Sequence, residues 1–503
     1  MTLARIKKAL LLFGMALMIP GYLFTVCNVL LAPWTLYGRS RAALAVLAAL
    51  SVAGLLAALH AIDRHEAFFA RHERAVLAGA AVFYFAVQLA MGAALRYVPI
   101  TDTEQCFTAA QLLADTGTYG NVYRYWEYFT RCPHNLGLVY LLAGTFRLCG
   151  AIGWTDRYMQ ALLLNTLLFV PGLLAAARIC RRVGGVKAQA RLLALLMSCL
   201  PLLYATSELY TDAFAISFPA MILYCAMRLR EADSRKKAAL WAAAFALVSF
   251  AGVQIRLTSA IAVIAAFLWL LLAAKPARLA AAAALALCAF LAGGSAIDAA
   301  NASHLTREAI DNRSLPILHY IAMGLPVQAD EGYGQYGEGG WLLYTMSFDD
   351  PAERDAALLQ QVIDRVYYLR YPNRLLHMMS RKNLSTFGDG TFGLSALIEA
   401  DEHEPDNPLK QIVFSQGVLN RAYVHLCGGL FLAQMLLACL ACAQAIRARD
   451  ASSAPLFIAL LGMFLFLCMW ETQPRYFFQY QPLLLCAAAL VNISAKQRRE
   501  SEG

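Results

Sequence analysis

Residues 135–150 read NLGLVYLLAGTFRLCG. If this apolar run crosses a membrane, every later segment changes sides, so its reading decides the fold. A crossing takes about 20 residues. This run is shorter and carries Arg147. The chain around it has 503 residues, 60% apolar and 15% charged, with a mean hydropathy of +0.53. Soluble domains are about 45–50% apolar and about 25% charged. The composition therefore argues against a water-soluble enzyme, a disordered chain and a secreted disulfide scaffold. Longer apolar runs fall at 9–31, 42–60, 75–95, 158–177, 190–207, 213–229, 239–254, 257–274, 279–299, 422–445, 453–470 and 476–494. They are helix-length runs, not the alternating strands of about ten residues that a membrane barrel needs. The expected fold class is all-α, a polytopic membrane helix bundle of about twelve spans.

Charge settles the short run. With twelve spans and the N-terminus inside, the inner segments hold 23 Lys and Arg, clustered at 5–8, 64–74, 178–191, 228–237, 275–278, 447–449 and 496–499. The short outer loops hold four, Arg39, Arg41, Arg256 and Arg475. That bias fixes orientation, with both termini cytoplasmic. Making 135–150 a span would move the 178–191 and 228–237 clusters outside. It is therefore expected to lie in or dip into the outer interface. The apolar run after Arg5, Lys7 and Lys8 is too long for a cleaved signal peptide and reads as a first span that also serves as insertion signal. The net charge of +9 follows from this inner clustering, and no nucleic-acid partner is implied.

Two large outer segments result, 96–157 and 300–421. The expected organisation is a membrane catalytic module over 1–299, including the outer loop with interfacial helices, an extracytoplasmic lobe over 300–421, and C-terminal spans with a cytoplasmic tail over 422–503. In the lobe, Asp349-Asp350-Pro351 reads as a helix start. The apolar spacing of Leu358, Leu359, Val362, Val366 and Leu369 continues it until a break or kink at Pro372. Residues 331–340, EGYGQYGEGG, are glycine-rich. Most of the thirteen cysteines sit in apolar runs as small hydrophobes. Cys106 and Cys132 share the polar outer loop and are candidates for a disulfide.

Acids gather on the outer side. Asp102 and Glu104 follow the third span in TDTEQCF, and Asp212 opens the sixth in SELYTDAFAIS. Thr101, Asp102, Thr103, Thr211 and Asp212 are all residues that cap helices. A capping carboxylate at a membrane interface is also fixed in direction and partly desolvated, which suits a general base. Arg256, Glu471 and Arg475 lie at outer span ends. Such charges serve as snorkelling anchors or as a site for an anion, which arginine binds bidentately. His134 and His319 are candidate polar ligands. Tyr119, Tyr123, Tyr125, Trp126 and Tyr128 read as an interfacial belt or a sugar platform. No HExxH, P-loop, GxSxG or GxGxxG context occurs.

In order, the chain shows Asp102 and Glu104 after an early span, then Cys132-Pro133-His134-Asn135-Leu136-Gly137, Arg181-Arg182-Val183-Gly184-Gly185, Tyr210-Thr211-Asp212, and Glu471 to Tyr476 before the last span. This arrangement resembles the GT-C superfamily of membrane glycosyltransferases, whose members include protein O-mannosyltransferases and lipid A aminoarabinose transferases. The resemblance covers roughly residues 75–300 and 420–494. It implies a sugar donor on a polyprenyl phosphate, a glycan, lipid or protein acceptor, and catalysis on the extracytoplasmic side of the cell membrane. By the same resemblance Asp102 is the catalytic base, with Glu104 beside it. It also implies that Asp212 helps bind the acceptor or, in some members, a metal, and that Arg475 contacts the donor phosphate; Arg256, Tyr476, His134 and Glu471 are further candidate substrate-binding residues. Some members use a divalent cation, so the metal requirement stays open. The acids here are Asp-Thr-Glu instead of an adjacent pair, and a Trp-Trp-Asp-Tyr-Gly signature is absent. The alternatives are a transporter or flippase for lipid-linked glycans and a membrane scaffold. A transporter would place charges mid-span, whereas here they gather at span ends.

Overall fold

A computed structural model describes residues 3–32, 40–328, 331–398 and 406–493. Among them all regular structure is helical. Eight helices are long and apolar enough to cross a membrane, and Ser259–Ala273 and Ala454–Met469 are shorter apolar helices. The last predicted span appears as Arg475–Phe478 and Gln481–Ala489. The runs 158–177 and 190–207 fall on two helical limbs of Arg157–Ser198, separated by a kink where Gly185 leaves helical geometry at φ 74°. A residue without a Cβ takes that left-handed conformation at no steric cost. From 200 to 207 the chain continues as two short 3-10 turns. Arg39, Asp330, the acids of 399–405, and Lys496, Arg498 and Arg499 lie outside the described residues.

Ion pairs show which helix ends share a face. Glu73 opens the helix Glu73–Ala94 and pairs with Arg178 at 3.0 Å and Arg181 at 3.2 Å. Arg96, just past the other end, grips Asp156 through two hydrogen bonds of 2.8 and 3.1 Å. The 22 residues between span about 33 Å at 1.5 Å each. This helix and the first limb of Arg157–Ser198 are therefore antiparallel neighbours pinned at both ends. It follows that 96–157 leaves and returns on one face, and that the helix Leu136–Ala151 makes no net crossing. On the opposite face, Asp63 pairs with Arg191, Glu66 with Lys187, and Arg182 with Glu231. Arg230 donates to the Ala273 carbonyl at 3.1 Å. The clusters counted as inner at 64–74, 178–191, 228–237 and 275–278 thus meet at one end of the bundle.

On the other face, the helix Thr101–Thr116 packs against Leu136–Ala151. Cys106 and Cys132 remain free thiols, so the candidate disulfide is not formed. The chain after 302 builds a small core of Ala322, Met323, Trp341 and Leu358. His319 belongs to that lobe interior, where its Nδ1 meets Thr345 Oγ1 at 2.6 Å, and not to the group of site residues. Arg365 and Glu331 form a buried ion pair beneath Trp341. The helix started by Asp350 and Pro351 runs to Leu369, and after the break expected at Pro372 a second one follows over Pro372–Phe387.

The second of these reaches down among the spans. Asn28 Nδ2 donates to the Ser380 carbonyl at 2.8 Å, Asn383 Nδ2 to Thr25 Oγ1 at 2.8 Å, and Phe387 packs on Phe477. The irregular stretch that follows, GDGTFG at 388–393, is almost wholly buried. Asp389 satisfies its backbone by accepting from Thr391 N and Gly393 N. Non-helical backbone at span depth is tolerated only under such protein cover.

Ile152, just after Leu136–Ala151, is 80% exposed. A cysteine placed there by Ile152→Cys is expected to react, in intact cells, with a membrane-impermeant thiol reagent above the wild-type background. Labelling only after permeabilisation would mean that 136–151 crosses.

Candidate functional site

The site is assembled where four connections meet on the face opposite the basic clusters. Asp102 sits in the first turn of Thr101–Thr116, whose cap position is Ile100 with no side-chain bond. The capping reading of Thr101, Asp102 and Thr103 therefore fails. Thr101 has φ 50°, a left-handed conformation that costs a β-branched residue roughly 1–3 kcal/mol and persists only where surroundings impose it. The freed Asp102 carboxylate accepts from Tyr128 Oη at 3.0 Å. Tyr128 in turn accepts from Asn135 Nδ2 at 2.7 Å, and Tyr210 donates to Asn135 Oδ1 at 3.3 Å. Gly137 lets this segment close on the 235–255 helix, since a Cβ there would lie 2.1 Å from the Gln254 carbonyl oxygen.

Asp212 likewise caps nothing. The cap position of its short helix is Tyr210, without a side-chain bond. Its side chain is 1% exposed and meets Arg256 at 2.9 Å through one oxygen and Arg475 Nε at 3.4 Å through the other. Arg256 also donates to Thr211 Oγ1 at 2.9 Å, and Arg475 reaches Asp102 at 3.7 Å. The result is a chain of alternating charge, Arg256, Asp212, Arg475, Asp102. Both guanidinium groups lie against the rings of Tyr210 and Tyr476. A buried ion is tolerated when paired, and removing one partner of such a pair costs about 3–5 kcal/mol. Asp212 is held between two arginines and inaccessible. Asp102, with its side chain 41% exposed, is the carboxylate that another molecule can reach.

A cavity of about 280 Å³ adjoins this charge chain. His134, Arg256, Glu471 and Tyr476 line its polar part, and Ile255, Leu257, Phe466 and Trp470 its apolar part. Tyr320 stacks on Trp470 with ring centres 4.9 Å apart. The structure thus gathers Asp102, Asp212, Arg256, Arg475 and Tyr476, with His134 and Glu471 on the adjoining wall. It does not bring in Glu104. Two residues on, a helical side chain has turned about 200°, and Glu104 pairs with Arg124. Among the described residues no group of three or more His, Cys, Asp or Glu could hold a metal ion. The proposed aromatic belt divides. Tyr128 joins the site, Tyr119 is buried against Phe129, and Tyr123 stacks on Trp126.

Glu208 escaped the reading of SELYTD. It is fully buried and neither carboxylate oxygen has a hydrogen-bond partner. Burial pushes it up to about 8, with the Asp212 charge adding to the rise and Arg475 and Arg256 opposing it. Burial likewise pushes Glu471 up to about 7, against the same arginines. Its place four residues before Asp212, in the same short stretch between two apolar runs, was the available signal. For Tyr128 and Asn135 there was none, because their roles depend on partners distant in sequence.

A carboxyl raised on folding stabilises fully below its unfolded value, about 4.3 for Glu. That contribution is lost as pH rises through the folded value. Melting temperatures in detergent should therefore decline between about pH 5 and pH 8, and Glu208→Gln should flatten the decline. An unchanged slope in the variant would show that Glu208 is not the titrating group.

A family profile described as "Conserved hypothetical integral membrane protein" matches residues 5–496. A search of the curated proteins finds no match. Among solved structures, the chain is similar to the crystal structure of ArnT from Cupriavidus metallidurans bound to undecaprenyl phosphate. That likeness has 14% identity and a TM-score of 0.34 over 83% of this chain and 78% of that one. With nearly its whole length matched by that profile, the chain belongs to the family of conserved hypothetical integral membrane proteins.

Proposed function

We propose that this protein is a membrane glycosyltransferase of the GT-C type that moves a sugar from a polyprenyl-phosphate donor to an acceptor on the extracytoplasmic face. The observation that carries this reading is the meeting of one reachable carboxylate, Asp102, with two largely buried arginines beside a half-apolar cavity. A lipid phosphate needs cations and apolar walls at one place, and Arg256 and Arg475 with Phe466, Trp470 and Leu257 offer both. The positive-inside count puts this end of the bundle outside. Ser314, Leu315, Ile317 and Tyr320 from the chain after 302 close the cavity on that side.

In the proposed step, Asp102 takes the proton of an acceptor hydroxyl as that oxygen bonds to the anomeric carbon. The bond from that carbon to the phosphate oxygen breaks, and the lipid phosphate leaves as an anion toward Arg475 and Arg256. Charge that develops on the leaving oxygen is stabilised by cations already fixed in place, which need no reorganisation. Tyr128 and Asn135 hold the Asp102 carboxylate in direction. Asp212 keeps the two arginines aligned and compensated. Glu104, turned to Arg124, has no part in this scheme. The charges stand at helix ends, which supports an enzyme over a flippase with charges along a midplane path.

Purified protein incubated with polyprenyl-phosphate sugars, with and without divalent cation, should release lipid phosphate. A general base contributes about 10²–10⁴ in rate, so Asp102→Asn should lose at least about 100-fold while keeping its melting temperature. Normal turnover in that variant would overturn the assignment of the base.

A further inference from the structure

The stretch 365–388 holds four arginines and a lysine and no Asp or Glu. Arg365 is buried against Glu331, and Lys382 donates to the Cys468 and Trp470 carbonyls at 3.1 and 2.7 Å. The other three cations, Arg370, Arg374 and Arg381, are exposed or partly so. Arg374, His377 and Arg381 recur at intervals of three and four residues, which places them on one side of the helix Pro372–Phe387, and Arg370 stands just before its start. Arg374, His377 and Arg381, with Asn373, Gln328 and Tyr368, line a cavity of about 520 Å³ whose lining carries no carboxylate. Its volume exceeds that of the cavity beside Asp102, and its residues take no part in the chemistry above.

Its level in the molecule follows from the contacts of Pro372–Phe387. Asn383 meets Thr25 and Ser380 meets Asn28. At 1.5 Å per residue, Leu375, Leu376 and His377 therefore stand level with the last turn of Leu3–Leu31, where that span leaves the apolar layer. Beside the cations, Ile363, Val366, Tyr367, Leu375 and Leu376 are 40–65% exposed. Val366 and Tyr367 are three and four residues beyond Ile363, so they share a face of the Pro351–Leu369 helix. Exposed apolar side chains next to arginine and tyrosine, at the level of a span end, match the chemistry of a bilayer interface.

The geometry points to a lipid-binding site separate from the reaction centre. The elbow 363–377 rests on the bilayer, and the basic cavity holds the phosphate of an anionic lipid headgroup. Arginine suits a phosphate through paired N–H donors, and Tyr368 and Asn373 can hydrogen-bond the rest of the headgroup. The occupant is a lipid and not a free phosphate, because the cavity stands at the level of a span end and the same elbow carries exposed apolar side chains.

Native mass spectrometry of the full-length protein in detergent tests this. The probes are equimolar phosphatidylglycerol and phosphatidylcholine, followed by millimolar inorganic phosphate. Preferential retention of phosphatidylglycerol is expected, with inorganic phosphate unable to displace it. Arg374→Gln combined with Arg381→Gln should reduce retention, by about fivefold for each arginine. Equal retention of the two lipids by the wild type would overturn the proposal, as would full displacement by inorganic phosphate. The wild-type comparison decides by itself even if the double variant fails to fold. The readout is lipid retention, so it is independent of whether the protein transfers a sugar.

Discussion

The arrangement of Arg256 and Arg475 around buried Asp212 is the constraint that the other parts of the site serve. Two cations taken out of water each cost several kcal/mol unless paired in good geometry. Asp212, 1% exposed and touched by both, supplies the pairing, and the Tyr210 and Tyr476 rings supply faces for the guanidinium planes. Three connections must converge to build this, those around 210, 256 and 475. Each is a helix end with charged residues between apolar runs. Asp102 then meets Arg475 at the open edge of the cluster, more weakly and at 3.7 Å.

The bundle brings these ends together by pairing charges at both faces. Glu73 with Arg178 and Arg181 at one end, and Arg96 with Asp156 at the other, hold two neighbouring helices in antiparallel register. The chain after 302 closes the assembly from the site side. Lys382 sits among the carbonyls of Cys468 and Trp470, at the C-terminus of the helix Ala454–Met469. There a cation complements the helix dipole. The contact fixes the turn that presents Trp470 and Glu471 to the cavity. The backbone N–H of Thr472 donates to the Gly334 carbonyl at 2.8 Å in the glycine-rich stretch, so that stretch is joined to the wall of the cavity.

Most of the helical bundle was legible because twenty-residue apolar runs have few alternatives, and because basic residues at helix ends are sorted by side. Asp102, Asp212, Arg256 and Arg475 were legible as isolated charges at span ends. Local rules misled where they competed with packing. Thr101, Asp102 and Asp212 have the composition of caps, yet none caps, and tertiary partners take the two carboxylates. Glu104 sits as near the membrane exit as Asp102, but helical rotation turns it to Arg124. Glu208, four residues before Asp212 in SELYTD, carried no local mark of its burial.

The sequence by itself determined that the chain is a polytopic helix bundle, that its basic ends share a side, and that its isolated acids and late arginines fall on the other. Hydropathy and charge are properties of short segments, and water and lipid sort them without long-range contacts. Only the tertiary structure decided that Tyr128 and Asn135 orient Asp102, that Glu208 stands unpaired beside the ion chain, and that 372–398 descends between the spans. Those outcomes depend on distances between residues tens to hundreds of positions apart, and such distances are set by how helices pack, which no local pattern encodes.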